Sequence, residues 1–306
     1  MKPLSLFLII TIISQLLAAQ TSKPVATPSP PAWGHYQKLW QLPVTGKAGE
    51  ETTDQRRFEL TTAHRQVTEL SVTEVFGLGR VRKPFYLSGT DSFSITAPPA
   101  NSSAQTKAEL IYLLQLQQQR SEEDVRASNY YATVYYRTSV KQGDADYARM
   151  QRNLFHIGRS IGTWFNADSL PLTAALVANV WKDAEFIIWK YKNYFLRIRP
   201  GKLEPQLKYL EETAWAAYPS GHATNSYVNA YLYAALIPEF ESFFLKDAYD
   251  MAHSREIIGV HYPSDSESGR LLAYELIQRL MKNEQFQKDF AAARTEIKQI
   301  KNTKGF

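Results

Sequence analysis

Cysteine is absent from all 306 residues. That excludes disulfides, thiolate metal sites, a cysteine nucleophile and a lipid-modified cysteine at a processed N-terminus. Long apolar runs are scarce as well. The stretch Leu4 to Leu17 is shorter than the ~20 residues a membrane-spanning helix needs, and no later segment is longer and equally apolar. Strand-like alternation is rare in the second half, and no internal repeat is visible. Charge of one sign is not concentrated either. The net charge of +5 and pI of about 9.1 are spread along the chain, which suits a small anionic ligand but lacks the basic stripe that nucleic acid requires.

What is present reads as globular: 44% of residues are apolar and 21% charged, enough to bury a substantial core. Met1-Lys2-Pro3, the apolar run and Ala18-Ala19 are the parts of a signal peptide, with cleavage expected after Ala19. An export signal without disulfides favours a bacterial periplasmic or secreted protein, with no stable membrane insertion after cleavage. Thr21 to Pro31 is a Pro/Ser/Thr-rich linker, and residues 20–83 form an extension whose fold the sequence does not decide. Leu42-Pro43-Val44-Thr45-Gly46 spells a wall-sorting pentapeptide without the hydrophobic tail it needs, and Asn101-Ser102-Ser103 spells a glycosylation acceptor; both are read as accidental.

The expected fold class is all-α, a helical bundle over residues 84–306. Helical pattern begins near Gln105, and Ser121 with Asp124 resembles a capping box for the next helix. Further helices are expected over Tyr147–Phe165, Leu172–Leu196, Ala223–Leu236, Phe240–Glu256, Asp265–Met281 and Glu284–Lys301.

Three short segments in this half carry the chemistry. Lys192 and Arg199 are seven residues apart, two helical turns, so both are expected near one helical face, with Pro200 ending the helix. Arg197 falls about 140° around from Lys192 and is assigned to the surface. In Pro219-Ser220-Gly221-His222, Ser220 is a natural N-cap, and Gly221 admits a ligand to the free N–H groups of a helix start. In the third segment Arg255 precedes His261 by six residues. Asp265, four beyond His261, can accept from one imidazole nitrogen and leave the other nucleophilic, while also capping the helix it opens. Cations and backbone donors hold an oxyanion, one histidine attacks it, and the other protonates what leaves. His35, His64 and His156 have no such surroundings and are given structural or surface roles; His253 is a neighbour of the third segment.

Taken together, Lys192-x6-Arg199-Pro200, Pro219-Ser220-Gly221-His222 and Ser254-Arg255-x5-His261-x3-Asp265 resemble the tripartite signature of the type 2 phosphatidic acid phosphatase (PAP2) and vanadium haloperoxidase superfamily. The closer resemblance is to bacterial class A non-specific acid phosphatases. Tyr194 to Pro200, Ala217 to His222, the Pro98-Pro99 loop with Glu109-Leu110, and Phe286 to Lys298 all look like their counterparts. Two positions depart from the pattern: Ala223 stands where Thr is usual, and Ile257 to Val260 lacks a common Cys.

The resemblance implies a phosphate monoester hydrolase working through a phosphohistidine. His261 would be the nucleophile, Asp265 its orienting carboxylate and His222 the acid. Lys192, Arg199, Arg255, Ser220 and Gly221 would hold the phosphate. It implies no cofactor or metal, a broad range of small phosphomonoester substrates with phosphotransfer to alcohols left open, vanadate as an inhibitor, an acidic optimum and a bell-shaped pH profile. Self-association is left open. The alternatives are a vanadium-dependent haloperoxidase and a non-catalytic phosphate-binding relative, the latter disfavoured by the intact residue set.

Overall fold

The computed structural model describes residues 83–304 except Ser102 and Ala214. The expected signal peptide, linker and most of the N-terminal extension, with His35 and His64, lie outside the described residues. Among those described, the architecture is all-α. The helices are α1 (Ala104–Gln119), α2 (Glu122–Ala132), α3 (Tyr147–Leu154), α4 (Pro171–Phe195), the one-turn α5 (Pro200–Leu203), α6 (Gly221–Leu236), α7 (Glu241–Ile257), α8 (Pro263–Leu280) and α9 (Glu284–Lys304). Among the described residues no helix is long and apolar enough to cross a membrane.

The central element is α6. Its run Tyr227-Val228-Asn229-Ala230-Tyr231-Leu232-Tyr233-Ala234 is buried throughout, as a helix without a polar face must be. Helices α4, α7 and α8 surround it, α9 lies on α4, and α1 and α2 pack on α7. Two buried ring donors find partners: Tyr233 Oη donates to Leu154 O at 2.7 Å, and Trp181 Nε1 to Asn229 Oδ1 at 2.7 Å. Small residues set how closely the elements meet. A Cβ on Gly269 of α8 would lie 2.9 Å from Thr224 Oγ1 and 3.0 Å from Ser220 O, so α8 closes directly on the start of α6.

Side chains cap the first two helices, the second as expected. Ser103 Oγ accepts from Thr106 N at 3.1 Å, and Ser121 and Asp124 form the reciprocal box. One expected helix is shorter than its apolar pattern. Tyr147–Phe165 is helical only to Leu154, and Phe155 to Phe165 is a turn-rich connection. Gly158 takes φ +94° there, with its N–H on Asp247 Oδ2 at 2.8 Å, while Phe155 and Phe165 enter the core. The apolar spacing recorded burial rather than helix.

The N-terminal edge of the bundle is pinned by Asp183 of α4. Its buried carboxylate accepts from the N–H groups of Phe85, Tyr86 and Leu87 at 2.8–3.1 Å, and Tyr86 Oη donates to Asp289 of α9 at 2.7 Å. The chain is therefore tied to the bundle from Phe85 onward.

His156, in the turn-rich connection, is buried against Tyr130 and Tyr131, and its Nε2 has no partner. Burial, with help from Arg159, lowers its pKa to about 3. Below about pH 6.5 the unfolded chain takes up this proton while the folded protein does not, so stability falls with pH through that window, by up to ~1.4 kcal/mol per unit from this group. His156→Gln is expected to show a shallower loss of thermal midpoint between about pH 6.5 and 4 than the wild type. Equal slopes would remove the ring as a cause.

Candidate active site

Helix α4 ends earlier than expected. Leu196 takes a left-handed conformation, φ 49°, and the chain leaves the helix there. Lys192 is therefore on α4, while Arg199 sits beyond its end in extended conformation before Pro200. The two are brought together by backbone stitching rather than helical period. Ala217 N donates to Arg197 O at 2.9 Å and Ser220 N to Asp265 O at 3.0 Å, which joins the three motif segments side by side.

Carbonyl groups hold the cations. Lys192 Nζ donates to Ala216 O at 2.6 Å and Ala217 O at 3.3 Å. Arg199 donates from Nε to Trp215 O at 2.8 Å and from Nη1 to Val260 O at 2.7 Å. Arg255, 2% exposed, gives Nη2 to Glu211 Oε2 at 2.5 Å, while its Nε and Nη1 are buried without a partner. Both unpaired atoms are strong donors in a place where an unmet bond is costly.

His261 Nδ1 lies 3.0 Å from Asp265 Oδ2, and the same oxygen accepts from Tyr262 N at 3.0 Å. Asp265 thus orients the histidine and caps α8 at once. Since the ionised carboxylate only accepts, Nδ1 carries the proton and the Nε2 lone pair faces Arg199 Nη1 at 3.0 Å. Burial, then the Arg199 charge, hold the His261 pKa well below the ordinary value, so the ring is neutral. Burial alone would raise Asp265; the Arg197 guanidinium and the His261 bond outweigh it and keep the carboxyl below the usual range.

Arg197 corrects the sequence reading. It is fully buried, not on the surface, because the helix that would have turned it outward has already ended. Its Nη1 donates to Asp265 Oδ1 at 2.6 Å and to Ser264 Oγ at 2.7 Å, and its Nη2 to Glu109 Oε2 at 3.1 Å. The guanidinium also stacks 3.8 Å over the Tyr262 ring. Glu109 in turn accepts from Ser264 N at 3.0 Å and Ser264 Oγ at 2.8 Å. The signals for Arg197 were its position beside the first motif and a buried acidic partner on α1, neither of which has a helical period.

Ser220 caps α6, accepting from Ala223 N at 3.3 Å, and Gly221 is the first helical residue. Thr224 donates back to Ser220 O at 2.8 Å, so it braces the helix start. His222 lines the cavity. Its ring bonds the Ala132 backbone, its Nε2 is buried without a partner, and burial followed by the Arg255 charge push its pKa well down. His253 lies off this cavity, with Nδ1 at 3.1 Å from Glu256 Oε2.

The cavity has a volume of about 490 Å³, and Lys192, Arg199, Gly221, His222, Arg255 and His261 all line it. Ser220 and Asp265 lie behind that wall. Among the described residues no group of three or more His, Asp or Glu is spaced to ligate a metal ion. The arrangement presents an imidazole lone pair and a second imidazole to a space ringed by three cations and a helix N-terminus, which is suited to an oxyanion.

Parts of the chain are similar to known proteins. Residues 170–288 match the PAP2 superfamily. A non-specific acid phosphatase of Providencia stuartii is 30% identical over 137 residues, 43% of this chain and 55% of that protein. One of Salmonella typhi is 27% identical over 148 residues, 46% of this chain and 59% of that one. The chain thus spans little more than half the length of these relatives. Among solved structures, a bacterial vanadium-dependent iodoperoxidase is similar at 15% identity and a TM-score of 0.42, covering 62% of this chain and 51% of that one.

Arg197→Ala leaves two buried carboxylates without a counter-ion and is expected to cost about 3–5 kcal/mol in urea unfolding at neutral pH. Burial already raises the Glu109 pKa above its ordinary value, and loss of the Arg197 charge pushes both it and that of Asp265 upward. The folded state then takes up protons first, and the penalty shrinks as the pH is lowered. An unchanged midpoint would mean that the charge triad is not a structural keystone.

Proposed function

Given that residues 170–288 carry a PAP2 superfamily domain, we propose that the chain is an exported acid phosphatase that hydrolyses phosphate monoesters through a phosphohistidine on His261. The observation that carries this is the pair formed by His261 and Asp265. It leaves a neutral imidazole whose Nε2 lone pair meets Arg199 Nη1 at the wall of a cavity where Arg255 has two unpartnered donors. Phosphoryl transfer needs in-line positioning and stabilisation of charge on the equatorial oxygens. Lys192, Arg199, Arg255 and the N–H groups at the start of α6 supply that stabilisation.

In the first step Nε2 of His261 attacks phosphorus. The bond from phosphorus to the alcohol oxygen breaks, and His222 gives that oxygen a proton. Asp265 balances the charge left on the His261 ring. In the second step His222, now neutral, takes a proton from water as the water attacks the phosphohistidine, and phosphate leaves. The cations do the electrostatic work, so the proposed chemistry routes no step through a metal. Export rests on the signal-like N-terminus.

The His222 role has an electrostatic condition. In the empty cavity, burial and the neighbouring Arg255 disfavour its protonated form. A bound phosphate dianion reverses the local sign and favours it, so the acid is charged when substrate is present. Acid pH helps this step, while His261 must keep its lone pair, and activity falls on both sides of an optimum.

Wild-type protein is expected to hydrolyse p-nitrophenyl phosphate in EDTA, with vanadate inhibiting, and His261→Ala to abolish turnover. No wild-type turnover would overturn the phosphatase reading. His222→Ala is expected to slow an alkyl phosphate by roughly 10²–10⁴ and the nitrophenyl ester far less, because the latter's leaving group needs no proton. Equal losses on both esters would remove His222 as the acid.

A further inference from the structure

The cavity is much larger than a phosphate group, and the rest of its lining has a different chemistry. Trp189 and Trp215 meet edge to face at 4.9 Å, Tyr136 and Trp181 at 5.9 Å, and all four line the same space. Three carboxylates line it too: Glu185, Glu211 and Glu212. Glu185 accepts from Thr138 Oγ1 at 2.5 Å, Glu211 pairs with Arg255, and Glu212 is exposed with no ion pair among the described residues.

Carboxylates in the wall of an anion site work against the anion unless something positive accompanies it. The Glu211–Arg255 pair makes this concrete. An oxyanion that takes the free Nε and Nη1 donors of Arg255 comes to lie close to the Glu211 charge held on Nη2. A ligand carrying both charges suits the pair instead: its phosphate takes the free donors of Arg255 and its cation offsets Glu211. Aromatic faces beside a carboxylate suit an ammonium or quaternary ammonium group.

We propose that the preferred substrates are phosphomonoesters of amino alcohols, zwitterions whose ammonium group is seated against Glu211, Trp189 and Trp215 while the phosphate meets Arg255. This rests on the phosphatase reading above and narrows it. An aryl leaving group would use the rings but gain nothing from the carboxylates.

The test compares phosphocholine with 3,3-dimethylbutyl phosphate, its neutral isostere, by calorimetric binding to the His261→Ala protein. Phosphocholine is expected to bind about tenfold or more tightly, a gap set by ammonium contacts with aromatic and acidic groups. Glu211→Gln and Trp189→Leu, each in the same background, are expected to bring the ratio toward one. Equal affinities, tighter binding of the isostere or of phenyl phosphate, or no phosphocholine binding where inorganic phosphate binds would each overturn the proposal. Turnover of p-nitrophenyl phosphate by the wild type separates that failure from failure of the phosphatase reading.

Discussion

A guanidinium shared by two buried carboxylates holds this molecule's site together. Arg197 comes from the loop after α4, Glu109 from α1 and Asp265 from the start of α8, and all three are essentially sealed from water. Removing one charge from such a group leaves the others unpaired in a medium that tolerates them poorly. The group therefore specifies an arrangement as much as it stabilises one. With Arg197 on Oδ1 and the Tyr262 N–H on Oδ2, the Asp265 carboxylate cannot rotate. A fixed carboxylate fixes the His261 tautomer, and the tautomer decides which nitrogen faces the cavity. The cavity-facing nitrogen is thus set by the Arg197 charge through a single intervening residue, Asp265.

The same logic, with the sign reversed, governs the cavity. Lys192, Arg199, Arg255, His222 and His261 are all shifted toward their neutral forms, burial being the first cause each time. Crowded cations hold energy against one another until an anion arrives. The backbone has already fixed them in place by then, so binding requires little rearrangement at the moment of reaction. Under the proposed mechanism it also links the state of His222 to occupancy, because a bound anion favours the protonated ring.

Much of this was legible in the sequence, for identifiable reasons. The helices α4, α6, α7, α8 and α9 were expected within a few residues, because long apolar periods and caps such as Ser220 are local signals. Seven of the eight expected site residues are within reach of the cavity or bonded to one that is, and Ser220 caps the helix that delivers His222 to it. Two things failed. Helical spacing was carried past Phe195, which put Lys192 and Arg199 together for the wrong reason and sent Arg197 to the surface. A single left-handed residue, Leu196, undid that geometry, and no composition signal announces it. Tyr147–Phe165 failed similarly, since apolar residues in a buried turn mimic a helical stripe. Glu211 and the aromatic lining were invisible because chain proximity there depends on loops.

How the cations are held also explains their division of labour. A carbonyl carries only a partial charge, so it can position an ammonium or guanidinium without neutralising it. Lys192 and Arg199 are held in that way, so no ion pair cancels the charge that each can offer a ligand. Among the described residues Arg255 is the only one of the three with a carboxylate in ion-pair range, and that carboxylate, Glu211, is one-third exposed. Two cations therefore have no carboxylate to share, and the third shares Nη2 with Glu211 while its Nε and Nη1 stay free. That pair lines the same cavity as the aromatic and acidic residues, so under the proposed function phosphate capture and the nature of the leaving group meet at one residue pair. Discrimination among substrates belongs there rather than at His261, whose surroundings are the same whatever alcohol the phosphate carries.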